Sequence, residues 1–278
     1  MKKLFLVVLV LLGLFALAAC GNRGGEVTRI GATAMPHMVI LEQIAPILEE
    51  QGFSIELVEF DDFQTPNIAL NDGDIDINFF QHRPFLNGFN AANNTDLIPV
   101  FGVHFEPLRV YAGRLNSLEN LPNGASIAIP EDATNQARAL QLLESIGLIS
   151  LYPGLGLTAT VTTGIAENPH NLDIQTMTAQ VLPRILPDVD FAVVNGNVAL
   201  QGNIIDLYVG GASENPQYPT GDEFGNLGNR FTNFVVVRNG EQNEPVVAAL
   251  IEAINSPPIR DFINAQYQGS VVPMMILP

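Results

Sequence analysis

From residue 29 onward the chain switches repeatedly between two kinds of apolar spacing: every second residue, as in a strand, and every third or fourth, as in a helix. Residues 29–34 (RIGATA) predict a short strand, and 37–50 (HMVILEQIAPILEE) an amphipathic helix that Gln51-Gly52 ends. The stretch 54–60 (SIELVEF) alternates as a strand, and 67–70 belongs to a short helix closed by Asn71-Asp72-Gly73. Another strand is predicted at 75–80 and another helix at 84–91. A long, mostly extended stretch over 97–111 and a polar break at 113–124 interrupt the rhythm, which then restarts. There 125–130 (ASIAIP) reads as a strand and 132–146 as a helix with Asp132 or Thr134 as its N-cap. Further strands are expected at 157–163, 172–176, 191–194 and 231–238 (FTNFVVVR), with helices at 245–254 and 258–267. Residues 210–229 form a loop rich in Gly, Pro and Asn.

Alternating strands and helices favour an α/β fold, a parallel or mixed sheet with helices on both faces. Two such units joined by an extended segment imply two lobes with a cleft between them. The expected division is 28–112 with 231–278 in lobe 1, and 113–230 in lobe 2, hinged near Val110–Ala112 and near Phe231. Ligands of such folds collect where strand ends and helix N-termini face one another.

The first 26 residues have another character. Lys2 and Lys3 precede a nearly unbroken apolar run from Leu4 to Leu17, and small residues lead into Cys20. This predicts a secretory signal over 1–19, too short and too early to span a membrane convincingly. Leu17-Ala18-Ala19-Cys20 resembles the bacterial lipobox, in which the cysteine is lipidated and becomes the first mature residue. Residues 20–27 would then tether the body to a membrane on its extracytoplasmic side, firmly if more than one acyl chain is attached.

The chain has 278 residues, 47% of them hydrophobic and only 15% charged, which excludes wholesale disorder. Twelve basic residues against 29 acidic ones give a formal charge of −17. That balance argues against nucleic acid, whose binding rests on cationic contacts to phosphate. Loss of the signal leaves ten Arg, no Lys and a charge of −19. Such a surface fits an alkaline exterior, where Lys begins to discharge, and equally fits drift in nucleotide composition. The single Cys excludes a disulfide framework.

No Gly-x-Ser-x-Gly and no phosphate-binding Gly-rich loop with its Lys occurs, so no enzyme class, cofactor or resident metal is expected. The four His are scattered; His82, His104 and Glu106 are the one grouping that could hold a metal, against the more usual structural use of isolated His. An exported, acidic, two-lobed chain without a catalytic constellation reads as a capture protein. Arg138 lies between one and two turns into its predicted helix, where its guanidinium fork can hold a carboxylate.

Several segments carry a resemblance: Ile30-Gly31-Ala32-Thr33 with Pro36-His37, residues 59–67 (EFDDFQTPN), 78–85 (NFFQHRPF), 104–108 (HFEPL), 126–140 (SIAIPEDATNQARAL), 194–197 (VNGN) and 268–273 (QGSVVP). Together they resemble, in order and over nearly the whole mature chain, the methionine-binding (NlpA-type) lipoproteins of ABC importers. The resemblance implies a type II periplasmic-binding fold, monomeric as is the default for such receptors, that closes on methionine and passes it to a permease driven by ATPase subunits. By the same resemblance Arg138 matches the carboxylate-binding Arg, Asn135 a pocket position, and Asn195 and Asn233 the amide contacts to the ligand backbone. Phe80 and His82 match pocket wall and polar contact. Glu106 meets either the ligand ammonium or an Arg. Phe63 and Phe85 stand where many members have Tyr, keeping the ring and losing a hydroxyl. That departure leaves methionine, another apolar amino acid or a short peptide open as ligand.

Overall fold

The computed structural model describes residues 27–210 and 230–278. The expected signal, Cys20 and most of the tether, and nearly all of the 210–229 loop, lie outside the described residues. The chain begins β1 (Val27–Thr33), turns irregularly through Ala34–Met38 into α1 (Val39–Glu50), and continues as β2 (Ser54–Phe60), α2 (Thr65–Asp72), β3 (Ile77–His82) and α3 (Arg83–Asn93). Then come β4 (Ile98–Phe105), β5 (Arg109–Ala112), β6 (Ser126–Pro130) and α4 (Ala133–Ser145). A small hairpin pairs β7 (Ser150–Leu151) with β8 (Ile165–Glu167), followed by β9 (Asp173–Met177), α5 (Leu182–Ile185), β10 (Phe191–Val194), α6 (Gly196–Gln201) and β11 (Tyr208–Gly210). The chain ends as β12 (Thr232–Val237), α7 (Pro245–Ile254), α8 (Pro257–Tyr267) and β13 (Val272–Ile276).

Besides the β7–β8 pair, two large sheets form among the described residues, which is the expected mixed α/β fold in two lobes. The first has the order β13-β4-β12-β3-β1-β2, parallel from β2 through β1 to β3 and antiparallel from β3 onward. The second has the order β11-β5-β10-β6-β9, with β9, β6 and β10 parallel. Apolar residues of α1, α7 and α8, such as Ile44, Leu250 and Ile263, cover one face of the first sheet. Leu70 of α2 and Leu86 and Phe89 of α3 cover the other. In the second lobe Leu140 and Leu143 of α4 lie on one face and Leu182 and Val198 on the other. Each sheet is therefore buried on both faces, which is why its central strands carry nearly continuous apolar runs.

Three expectations need correction. The stretch 97–111 is not one extended unit: β4 belongs to the first sheet and β5 to the second, so the passage between lobes is Glu106-Pro107-Leu108 and not Val110–Ala112. The lobe 1 boundary at 112 accordingly falls late, since Arg109–Ala112 pairs with β10 and β11. Residues 157–163 hold the end of a 3-10 helix (Gly156–Thr158), an irregular stretch and a turn, and no strand. Gly154 and Gly156 adopt positive φ there, and Thr160 bonds to Thr162 and Thr163 at 3.1 and 2.7 Å, so local hydroxyl bonds replace a ladder. The edge strand β13 and the β7–β8 hairpin were not foreseen.

Arg238, just past β12, closes the far end of the first sheet. Its Nη1 donates to the carbonyls of Leu70 and Ile75 at 2.7 and 2.6 Å, and its Nε to Glu241 at 2.9 Å. Gly73 ends α2 between those two carbonyls with φ of 82°, a conformation that suits glycine. Arg238→Ala strands both carbonyls and is expected to cost about 1.5–3 kcal/mol, read as a lowered urea midpoint at unchanged m value.

Candidate functional site

The sheets approach each other at the carboxyl ends of β3, β6 and β10, each of which runs directly or within two residues into a helix. This is the geometry in which open α/β sheets collect ligands. At the end of β3, His82 caps α3: its Nδ1 accepts from the Phe85 amide at 3.2 Å. After β6, Asp132 caps α4 by accepting from the Asn135 amide at 3.0 Å. After β10, Asn195 occupies the start of α6.

All eight residues expected to contact a ligand line one pocket, whose empty volume including its mouth is about 350 Å³. Phe63, Phe80 and Phe85 form one wall, with ring centroids 6.0–6.2 Å apart; Phe63 stacks on Phe80 while Phe85 stands edge-on to both. Asp62 fixes the loop carrying Phe63 by accepting from the amides of Gln64 and Thr65 at 2.6 and 2.7 Å. Burial would raise the Asp62 carboxyl, but these bonds and the Thr65 hydroxyl hold it below the usual carboxylate range.

The opposite wall is polar. Arg138 lies one turn beyond Asn135 on the same face of α4. Its Nη2 donates to the Glu106 carbonyl at 2.8 Å, and its guanidinium stacks 4.3 Å from the Phe231 ring centroid. Burial lowers the Arg138 pKa to about 10, opposed by the charges of Glu106 and Asp132, so it remains a cation at neutral pH. Asn135 Oδ1 faces His82 Nε2 at 3.1 Å across the cleft and accepts from Asn195 Nδ2 at 3.0 Å. Asn195 Oδ1 is buried without a partner among the described residues, an acceptor left over for something else. Asn233 lies beside His82 and His104 in the sheet register.

The structure adds residues that sequence reasoning left out or used weakly. Gln81, Gly196 and Asn197 also line the pocket. Gln81 is held from behind, since its amide exchanges bonds with Asn67 and Asn78, two more residues of the quoted motifs. The spacing of Gln81 between Phe80 and His82 gave no sign of this, because β3 is buried on both faces. Gly196 is required by close approach: a Cβ there would lie 2.9 Å from Glu106 Cβ.

Glu106 itself sits in the passage between lobes, only 5% exposed. Its Oε1 is 2.7 Å from His104 Nε2 and 3.3 Å from His37 Nε2, and it accepts the Asn197 amide. Desolvation raises its pKa, partly offset by His37, the Asn197 amide and Arg138. The grouping of His82 with His104 and Glu106 is thus wrong in one member: His82 turns to Asn135, and His37, 4.8 Å from the Phe79 ring, completes the cluster. His37 entered only as part of the Pro36-His37 motif, and nothing in its position, 67 residues before His104 and in an apolar run, pairs it with Glu106. The 2.7 Å separation is a hydrogen bond, shorter than the roughly 3.3 Å ligand–ligand edge that tetrahedral bonds of about 2.0–2.1 Å impose.

Residues 28–275 match the family described as NlpA lipoprotein. The chain is 32% identical, over 99% of both sequences, to the methionine-binding lipoprotein MetQ of Bacillus subtilis (strain 168). It is 35% identical to the membrane lipoprotein TpN32 of Treponema pallidum (strain Nichols), over 91% of this chain and 90% of that one. Among solved structures, a nutrient binding protein from Burkholderia cenocepacia bound to methionine is similar with a TM-score of 0.80 at 34% identity, covering 89% of this chain and 100% of that one.

Burial holds His37, His82 and His104 near a pKa of about 3, with the Arg138 charge also lowering His82. They are neutral when folded, whereas in the unfolded chain they take up protons below about pH 6.5. The unfolded state therefore binds more protons between about pH 6.5 and 3, and stability is lost as pH falls through that window, by up to about 1.4 kcal/mol per pH unit for each His. Glu106, raised in the fold, acts in the opposite sense and only partly offsets three imidazoles. Denaturant midpoints should be flat above about pH 7 and drop steeply by about pH 5; a midpoint that rises on acidification contradicts this account.

Proposed function

The chain belongs to the NlpA lipoprotein family, and on that premise we propose that it is the lipid-anchored substrate-binding component of an ABC importer, capturing methionine between its lobes. It carries out no bond chemistry. Cys20 bears the lipid on the extracytoplasmic side of the membrane, and the loaded monomer docks on a permease whose ATPase subunits drive uptake. No described helix is long and apolar enough to cross a membrane.

What carries the reading is a single juxtaposition: the Arg138 cation and a triangle of three Phe rings line the same pocket between the lobes. The guanidinium suits an α-carboxylate, and Asn195 Oδ1 and the Glu106 carboxylate are acceptors for an α-ammonium. Phe63, Phe80 and Phe85 suit an unbranched thioether, since sulfur is favourable near ring edges. Phenylalanine in place of tyrosine at 63 and 85 removes only a directing hydroxyl, so the pocket relies more on burial. Burying a methionine side chain contributes about 1.5–3 kcal/mol and a charge-assisted carboxylate bond about as much again. Lost translational and rotational freedom on association offsets part of this gain. The MetQ relative and the methionine-bound neighbour support the same ligand.

Calorimetric titration with L-methionine is expected to give saturable one-site heat. Arg138→Ala should weaken it about 10- to 150-fold, corresponding to about 1.5–3 kcal/mol, while the surface control Arg114→Ala leaves it unchanged. Unaltered affinity in Arg138→Ala removes the carboxylate assignment, and no heat with methionine, set against heat with leucine, removes the ligand.

A further inference from the structure

The side-chain amide of Asn135 reaches both lobes, and its orientation is not free. Its Nδ2 donates to Asp132 at 3.1 Å (Oδ1) and 3.0 Å (Oδ2), which leaves Oδ1 directed at His82 Nε2 and Asn195 Nδ2. Rotating the amide by half a turn would set oxygen against the Asp132 carboxylate and nitrogen against the Asn195 amide nitrogen. Both contacts would be repulsive. Because Oδ1 can only accept, His82 must carry its proton on Nε2, which agrees with Nδ1 accepting the Phe85 amide at 3.2 Å.

From this chain we infer that Asp132 is a positioning residue of the binding cleft: its carboxylate sets the Asn135 amide, which acts with the Phe85 amide in fixing the His82 tautomer and makes the hydrogen bond that clasps one lobe to the other. Asp132 touches no ligand on this view, since its oxygens are taken by Asn135 and the Thr134 hydroxyl. Its charge also supports the Arg138 cation further along the helix. The inference deepens the reading of this pocket as a ligand cleft, and it goes beyond a capping role. A cap needs an acceptor for the Asn135 backbone amide, which Asn or Ser supplies equally well; the clasp needs an acceptor for its side chain too.

The test is Asp132→Asn, which is isosteric and caps the helix. Its amide nitrogen opposes Asn135 Nδ2 and favours the reversed amide. Nitrogen-15 NMR of the ligand-free protein should show His82 wholly as the Nε2–H tautomer in the wild type and shifted from it in Asp132→Asn, at nearly unchanged melting temperature. Methionine affinity should fall about 2- to 13-fold, the equivalent of one lost hydrogen bond. Adding Asn135→Asp to that variant restores an acceptor facing His82, with the new side-chain amide at position 132 donating to it, and should return the Nε2–H tautomer. Asp132→Ser, which caps without reaching the side chain, serves if Asp132→Asn folds poorly. Identical His82 resonances in wild type and both single variants would overturn the proposal. Because the tautomer is read without ligand, that result is distinct from a failure of methionine to bind.

Discussion

A carboxylate is buried where the chain leaves one sheet for the other, and the rest of the structure is arranged around that fact. Glu106 lies between β4 and β5 with its oxygens against His104 and His37 from the first lobe and the Asn197 amide from the second. Its carbonyl receives Arg138, also from the second lobe. An acid removed from water with no partners would cost several kcal/mol, so the carboxylate needs donors, which His104 and the Asn197 amide supply. His37 and Arg138 lie close enough to act on its charge, and Gly196 permits the close approach. This arrangement also leaves a polar floor to the pocket.

Much of this was legible in the sequence because two signals coincide. The strands β2 and β10 fall where alternation and an apolar run placed them, and Asp132 caps α4 as its position before an apolar-periodic segment implies. The eight residues expected to contact a ligand lie mostly at strand ends and helix starts, which is where motif and topology both direct attention. The family motifs, more than position along an element, made them recognisable.

What escaped was set by partners distant in sequence. His37 looks like an ordinary residue of an amphipathic helix until β4 brings His104 and Glu106 against it. Gln81 looks like a polar interruption of β3 until Asn67 and Asn78 appear behind it. The point of passage between lobes was invisible because β4 and β5 are both apolar and extended, and only pairing assigns them to different sheets. Residues 157–163 misled for the opposite reason: their alternation is real, but the Thr hydroxyls bond locally and no described strand lies alongside.

Folding and recognition share one variable, the register of α4. Asp132, Asn135 and Arg138 recur every three residues, so the cap, the inter-lobe clasp and the cation lie along one stripe of the first two turns. The opposite stripe, Ala137, Leu140 and Leu143 among it, is packed into the second lobe's core. A slip of one residue would rotate the helix by about 100°. It would expose the leucines and at the same time turn the guanidinium and the amide out of the cleft. The apolar burial that fixes the helix thus also fixes where the polar side chains stand on it, and their own hydrogen bonds then set their orientation. The aromatic wall, supplied from β3, α3 and the loop after β2, meets that stripe only when both lobes hold their native packing, so the pocket exists where two independently packed cores agree.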